Sequence, residues 1–111
     1  MGFLRESDKL EIRKILKSMT DAIELILFTS DHNCQYCQDT KQLLKEVTAL
    51  SEKIHLTEYD LRNDADEAYT YKIDKTPAII IRGKNDYGIR YYGIPSGYEL
   101  NSLLEDIVDI S

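Results

Sequence analysis

The sequence predicts an α/β fold: a mixed four-stranded sheet flanked by helices, with an extra helix at the N-terminal end. Three observations carry this prediction. Apolar patterns alternate in the order helix, strand-helix-strand, helix-strand-strand-helix, and only a mixed sheet covered by helices uses all of these apolar faces. A Cys34-Gln35-Tyr36-Cys37 segment stands where a predicted strand turns into a predicted helix. The length, 111 residues, suits one hydrophobic core, so residues 1–111 are expected to form a single domain.

Each element has its own signal. Ser7 can cap a first helix whose apolar positions Ile12, Ile15, Leu16 and Met19 recur at helical spacing. Ile23 to Phe28 reads as a buried strand. The next helix starts at the cysteines and carries Leu43, Leu44, Val47 and Leu50, and Ile54 to Tyr59 follows as a second strand. Strand, helix and strand at this length make a parallel crossover unit. Asp64 with Glu67 gives a capping-box-like start to a short helix through Tyr71. Thr76-Pro77 introduces the strand Ala78 to Arg82, and Gly83-Lys84-Asn85-Asp86 supplies turn chemistry before Tyr87 to Tyr92, so this half reads as a hairpin. Ser96 and Glu99 form a capping box for a last helix with an apolar stripe at Leu100, Leu103, Leu104, Ile107 and Val108.

Composition narrows the function classes. An apolar share of 42% and a charged share of 31% are those of a soluble globular protein. The net charge of -6, from 14 basic and 20 acidic residues, argues against nucleic acid as the main partner. Met1 to Asp8 lacks the apolar run of a signal peptide, and Leu25 to Phe28 is far too short to span a bilayer. A cytoplasmic protein without a membrane partner is therefore expected. In a reducing compartment, two cysteines at this spacing point to redox chemistry or metal binding more than to a permanent staple, which would close too short a loop to remove much unfolded-state entropy.

The spacing itself permits dithiol chemistry. Helical positions three apart lie about 5–6 Å from each other, inside disulfide range. On a helical wheel Cys37 is in register with Leu44 and Val47, whereas Cys34 is in register with Gln38, Lys41 and Lys45. Cys34 is therefore expected to be the exposed attacking thiol at the helix start, and Cys37 the shielded thiol that resolves the mixed disulfide. Helix-terminus charge effects of at most about 2 kcal/mol lower a thiol from about 8.5 to roughly 7. Any further drop needs the Cys37 thiol as a donor or nearby cations, for which Lys72 and Lys75 are candidates beside a solvated-surface role.

A metal site is the competing chemistry. Cys34, Cys37, His32 and His55 contain the atoms of a two-sulfur, two-nitrogen zinc site, but no second paired motif accompanies them, and no resident metal or cofactor is expected. His32 is open to three roles: exposed loop residue, modulator of Cys34, or ligand. Zinc or an iron-sulfur cluster held by Cys34 and Cys37 across a dimer stays open as a binding-module alternative.

These residues together resemble a thioredoxin-fold protein, and most closely the N-terminal unit of the glutaredoxin-like protein disulfide oxidoreductases. The likeness covers nearly the whole chain. It includes the leading helix, His32 to Cys37, Tyr71 to Asp74 before the proline, Gly88 to Gly97 and Leu104 to Asp109. The resemblance implies catalytic Cys34 and Cys37, with Gln35, Tyr36, Thr76 and Pro77 forming the substrate-binding surface. It also implies a cis peptide before Pro77, beside the Cys34 sulfur, with the Thr76 backbone pairing to an extended substrate segment. A proline lacks an amide hydrogen and so can approach a thiolate without a competing donor; a trans proline marking a strand start is the alternative.

The partners so implied are disulfide-containing protein substrates, with a thioredoxin-reductase-like flavoprotein or a low-molecular-weight thiol as reductant. The chain departs from the thioredoxin pattern at Phe28, which stands where thioredoxins place a buried Asp six residues before the first Cys. Gln35-Tyr36 matches neither the Gly-Pro of thioredoxin nor the Pro-Tyr of glutaredoxin, and no distinct glutathione pocket is evident. Full members of the oxidoreductase family carry two such units, so a non-catalytic docking unit of a tandem protein is a further alternative.

Overall fold

Among the described residues, four strands and four helices follow the expected order: α1 (Glu6–Leu16), β1 (Ile23–Thr29), α2 (Cys37–Thr48), β2 (Ile54–Asp60), α3 (Ala65–Tyr71), β3 (Ala78–Arg82), β4 (Asp86–Tyr92) and α4 (Tyr98–Ile110). The computed structural model describes residues 2–31, 34–95 and 98–111, with Tyr98 described through its backbone only. The strands form one sheet in the order β2-β1-β3-β4. β1 and β2 are parallel, as a helical crossover requires, while β3 runs antiparallel to β1 and to β4.

Strand pleating sends alternate β1 side chains to opposite faces. Leu25 and Leu27 join a large aliphatic cluster with Leu16, Leu44, Val47, Leu104 and others from α1, α2 and α4. Ile26 and Phe28 join a smaller cluster with Ala68, Ile73, Ala78 and Ile80 on the α3 side. A continuous apolar run in β1 is thus explained by burial on both faces. Leu103, Leu104 and Ile107 of α4 are fully or almost fully buried, each stabilising the fold by about 1.5–3 kcal/mol relative to exposure.

The helix starts differ from expectation in detail. Arg5, not Ser7, is the N-cap of α1, because Asp8 accepts the Arg5 backbone N–H through Oδ2 at 3.0 Å and supplies the carboxylate that favours a first turn. α1 closes at Leu16, and Met19 is buried from the turn beyond it. Asp64 is the N-cap of α3, but its carboxylate turns back to accept the Asp60 N–H at 2.8 Å, so the capping box with Glu67 does not form. Ser96 lies outside the described residues.

The two ends of the sheet have distinct content. β1 and β2 both begin at one end, where Ile23 pairs with Ile54, and both finish at the other, where Thr29 pairs with Asp60. The β3–β4 turn belongs to the first end and Pro77 to the second, since Glu24 pairs with Arg82 and Phe28 with Ala78. The cysteine segment follows β1 at the carboxyl end of the parallel strands.

Candidate active site

β1 fixes the site's position. The Thr29 carbonyl accepts the Leu61 N–H at 2.9 Å, and the chain then leaves the sheet toward Cys34. Gln35 and Tyr36 form a turn, and α2 begins at Cys37 with Tyr36 as its N-cap. The Tyr36 carbonyl accepts the first α2 bond, from the Thr40 N–H at 2.9 Å. Cys34 is therefore three residues upstream of the helix, where the sequence places it on the first turn. The consequence for distance is small: the two Cα atoms lie 5.5 Å apart and the sulfurs are joined as a disulfide.

The two sulfurs differ in environment. Cys37 is only 2% exposed, whereas Cys34 is half-buried and flanked by exposed Gln35 and Tyr36. Burial of Cys37 follows from its place on the α2 face that also buries Thr40, Leu44 and Val47. When reduced, a partly exposed sulfur at the amino end of a helix meets unpaired amides, and those favour the thiolate. The carboxylate of Asp39 in the first turn draws on the same positive potential and opposes that effect.

β3 brings the second part of the site. Pro77 is buried, Thr76 is half-buried and the bond between them is cis. Opposite Pro77 the chain leaves β4 through Gly93, whose φ of 82° suits glycine and whose N–H donates to the Pro77 carbonyl at 2.9 Å. Hydrogen bonds among the described residues include none to Thr76. Cys34, Gln35, Tyr36, Cys37, Thr76 and Pro77 thus all belong to the same end of the sheet.

Phe28 is fully buried, with its ring 5.3 Å from Tyr59 and 6.2 Å edge-on from Tyr71. Aromatic packing therefore occupies the position where thioredoxins carry an acid. Burial first, and then the charges of Glu67, Tyr71, Glu24 and Asp64, push the Tyr59 phenol above its usual range. Lys41, on the outer face of α2, is held by Glu58 of β2 at 3.1 Å. Lys72 and Lys75 are exposed, Lys72 in the left-handed conformation that ends α3.

The residues weighed for zinc do not converge. His55 is an exposed second residue of β2, at the end of the sheet opposite the cysteines, and His32 lies outside the described residues. Among the described residues no group of three or more His, Cys, Asp and Glu side chains has the spacing of a metal site. A groove of about 480 Å³ lies between α1 and α4, bordered by Leu43, Ile94 and Pro95, and none of the six site residues lines it.

Thr40 went unrecognised in the sequence. It is 0% exposed, and its Oγ1 has no hydrogen-bond partner among the described residues. The signal was present, because Thr40 falls between Cys37 and Leu44 on the apolar stripe of α2, where a hydroxyl is out of place.

The comparisons with known proteins agree with this geometry. A protein disulfide oxidoreductase from Aeropyrum pernix is 27% identical and superposes with a TM-score of 0.86, over 99% of this chain and 49% of its own. The AhpF component of the alkylhydroperoxide reductase of Enterococcus faecalis is 25% identical with a TM-score of 0.88, over 98% of this chain and 53% of its own. The chain spans about half the length of each of these two structures. A malarial thioredoxin-2, 19% identical with a TM-score of 0.66 over 79% of this chain and 85% of its own, shares the fold. No curated protein is similar enough in sequence to count as a match. The sequence model of the thioredoxin domain matches residues 22–105, and with the sheet order, the Cys34–Cys37 pair and the cis Pro77 in place, the chain belongs to the thioredoxin domain family.

Proposed function

We propose that the protein is a dithiol-disulfide oxidoreductase acting on protein disulfides, with Cys34 as the attacking thiol and Cys37 as the resolving thiol. The single observation that carries these roles is the difference in burial between two cysteines, Cys37 buried and Cys34 half-buried, that are close enough to bond. The Cys34 thiolate attacks a substrate disulfide and forms a mixed disulfide, releasing one substrate thiol. Cys37 then displaces the second substrate sulfur, leaving the Cys34–Cys37 bridge and a fully reduced substrate. Two electrons pass from the dithiol to the substrate, and a reductant must return them.

The half-buried Thr76 and exposed Gln35 and Tyr36 form a surface to which an extended substrate segment docks, pairing with the Thr76 backbone beside Pro77. The recharging partner is a thioredoxin-reductase-like flavoprotein or a low-molecular-weight thiol. Likeness to a component of an alkylhydroperoxide reductase supports a place beside other redox proteins of a peroxide-reducing system; a reducing compartment such as the cytoplasm suits a dithiol pair that must be recharged.

Catalysed reduction of insulin disulfides by dithiothreitol tests this reading. Wild-type protein accelerates the reaction, Cys34→Ser loses nearly all of that activity, and Cys37→Ser accumulates a mixed disulfide. An unaffected Cys34→Ser protein would end the proposal.

A further inference from the structure

Resolution requires Cys37 to lose its proton inside the protein, and the residue that thioredoxins supply nearby is absent, because Phe28 fills that place with an apolar ring. Thr40 lies one helical turn beyond Cys37 on the same buried face of α2. Helical side chains lean toward the N-terminus and cover the preceding turn. The Thr40 side chain thereby covers the turn that carries Cys37.

Other helical threonines show what Thr40 does not do. Thr48 donates to the Leu44 carbonyl at 2.7 Å and Thr70 to the Asp66 carbonyl at 2.9 Å, each one turn back along its own helix. The Thr40 hydroxyl, fully buried, makes no such bond and has no other partner among the described residues. A buried hydroxyl left unpaired is destabilising, since it has given up water without gaining a partner. In the disulfide the Cys37 sulfur is bonded to Cys34 and carries no charge; in the mixed disulfide it is released, and it becomes the nearest group along the helix that gains a negative charge.

We propose that Thr40 donates a hydrogen bond to the Cys37 sulfur as it ionises, and so positions and stabilises the resolving thiolate. This rests on the oxidoreductase reading above. The step balances without a further reagent: the Cys37 thiol and the Cys34 mixed disulfide give the Cys34–Cys37 bond and the free substrate thiol. The proton of Cys37 ends on the departing sulfur, and Thr40 keeps its own. The other titratable groups of α2, of the strand β2 it packs against and of the segment ahead of β3 are Tyr36, Asp39, Lys41, Lys45 and Glu46, then His55, Glu58, Tyr59 and Asp60, and then Asp74 and Lys75; Lys41 and Glu58 form an ion pair at 3.1 Å.

The test follows resolution of a mixed disulfide formed on Cys34 with a chromogenic aromatic disulfide, by stopped-flow absorbance from about pH 5 to 10, in wild type, Thr40→Val and Thr40→Ser. Loss of a hydrogen bond to a charged sulfur moves the midpoint of the resolution limb upward by about one pH unit. Because thiolate reactivity rises with basicity with a coefficient near 0.4–0.5, Thr40→Val resolves about three- to fourfold more slowly on the acid side and about threefold faster on the alkaline side. Thr40→Ser stays near wild type. The first attack by Cys34 is unchanged in all three. A cavity or a loosened helix would slow resolution at every pH and yield no crossover, and that result, or parallel profiles for valine and wild type, overturns the role of Thr40 alone. Wild-type protein that fails to form or resolve the mixed disulfide would instead overturn the oxidoreductase reading and Thr40 with it.

Discussion

The two ends of the sheet are finished in opposite ways. Where β1 begins, the protein binds its own polar groups: Ser111 accepts the N–H groups of Thr20 and Asp21, and the Lys53 ammonium donates to the carbonyls of Met19 and Thr20. Where β1 finishes, Gln35 and Tyr36 are exposed and Thr76 and Cys34 are half-buried. One end spends its hydrogen-bonding capacity on the fold, and the other keeps some of it for a visitor. Stability and reactivity should therefore respond to substitutions at different ends.

Paired substitutions break or sharpen that contrast. At the open end, Tyr36→Ala removes a 45% exposed ring next to Cys34. Contact residues of this kind contribute about 1–2 kcal/mol to binding, so KM for reduced-insulin formation rises about five- to thirtyfold while the urea midpoint stays put. A fall in stability with unchanged KM would show Tyr36 to be structural.

At the closed end, Ser111→Ala removes the oxygen that accepts the Thr20 N–H at 3.1 Å and donates to the Val108 carbonyl at 2.6 Å. About 1 kcal/mol of stability is lost, measured by urea unfolding, with insulin turnover unchanged. Altered turnover at equal stability would erase the distinction between the ends.

The smallest effect belongs to Asp86, next to the β3–β4 turn. Its carboxylate accepts Arg90 at 2.8 and 2.6 Å in a two-pronged pair. The Arg90 hydrogen bonds, helped by the Gly88 N–H, hold the Asp86 carboxyl below the usual carboxylate range despite partial burial. A carboxyl depressed in the folded state adds stability above its unfolded value of about 3.9 and loses it as pH falls through the lower folded value. Asp86→Asn costs a few tenths to about 1 kcal/mol at pH 7, and the gap to wild type closes as pH drops below about 4. A constant gap down to pH 2 would assign the loss to packing.

The fold was legible in the sequence because burial writes long patterns. Leu25 to Phe28 and Ala78 to Ile81 are unbroken apolar runs, and the α4 stripe of Leu103, Leu104 and Ile107 keeps helical spacing. Helix starts were less legible, since a cap depends on where one side chain turns: Asp8 takes the Arg5 N–H although Ser7 stood available, and Asp64 reaches back to Asp60 instead of closing with Glu67. Of the candidate site, the two cysteines could be read directly because a lone pair at this spacing is chemically unusual, whereas Thr76 and Pro77 read by pattern only as a strand start and entered the site through the resemblance to thioredoxin-fold proteins. Thr40 was only partly legible: its place on the apolar stripe of α2 marks it for burial, but a threonine inside a helix normally bonds its own backbone, as Thr48 and Thr70 do, and only the three-dimensional structure reveals that this one does not. The turn at Gln35 and Tyr36 was hidden for a related reason, as residues three apart lie at nearly equal distance in a helix or in the turn before it.

Alkylation of the reduced, folded protein by iodoacetamide, followed by peptide mass spectrometry, measures the difference between the two sulfurs most directly. Cys34 is carboxamidomethylated at least about tenfold faster than Cys37, since only its sulfur combines solvent access with a thiolate favoured by the α2 amides. Equal modification of both cysteines, or equal resistance, would contradict the roles assigned to them.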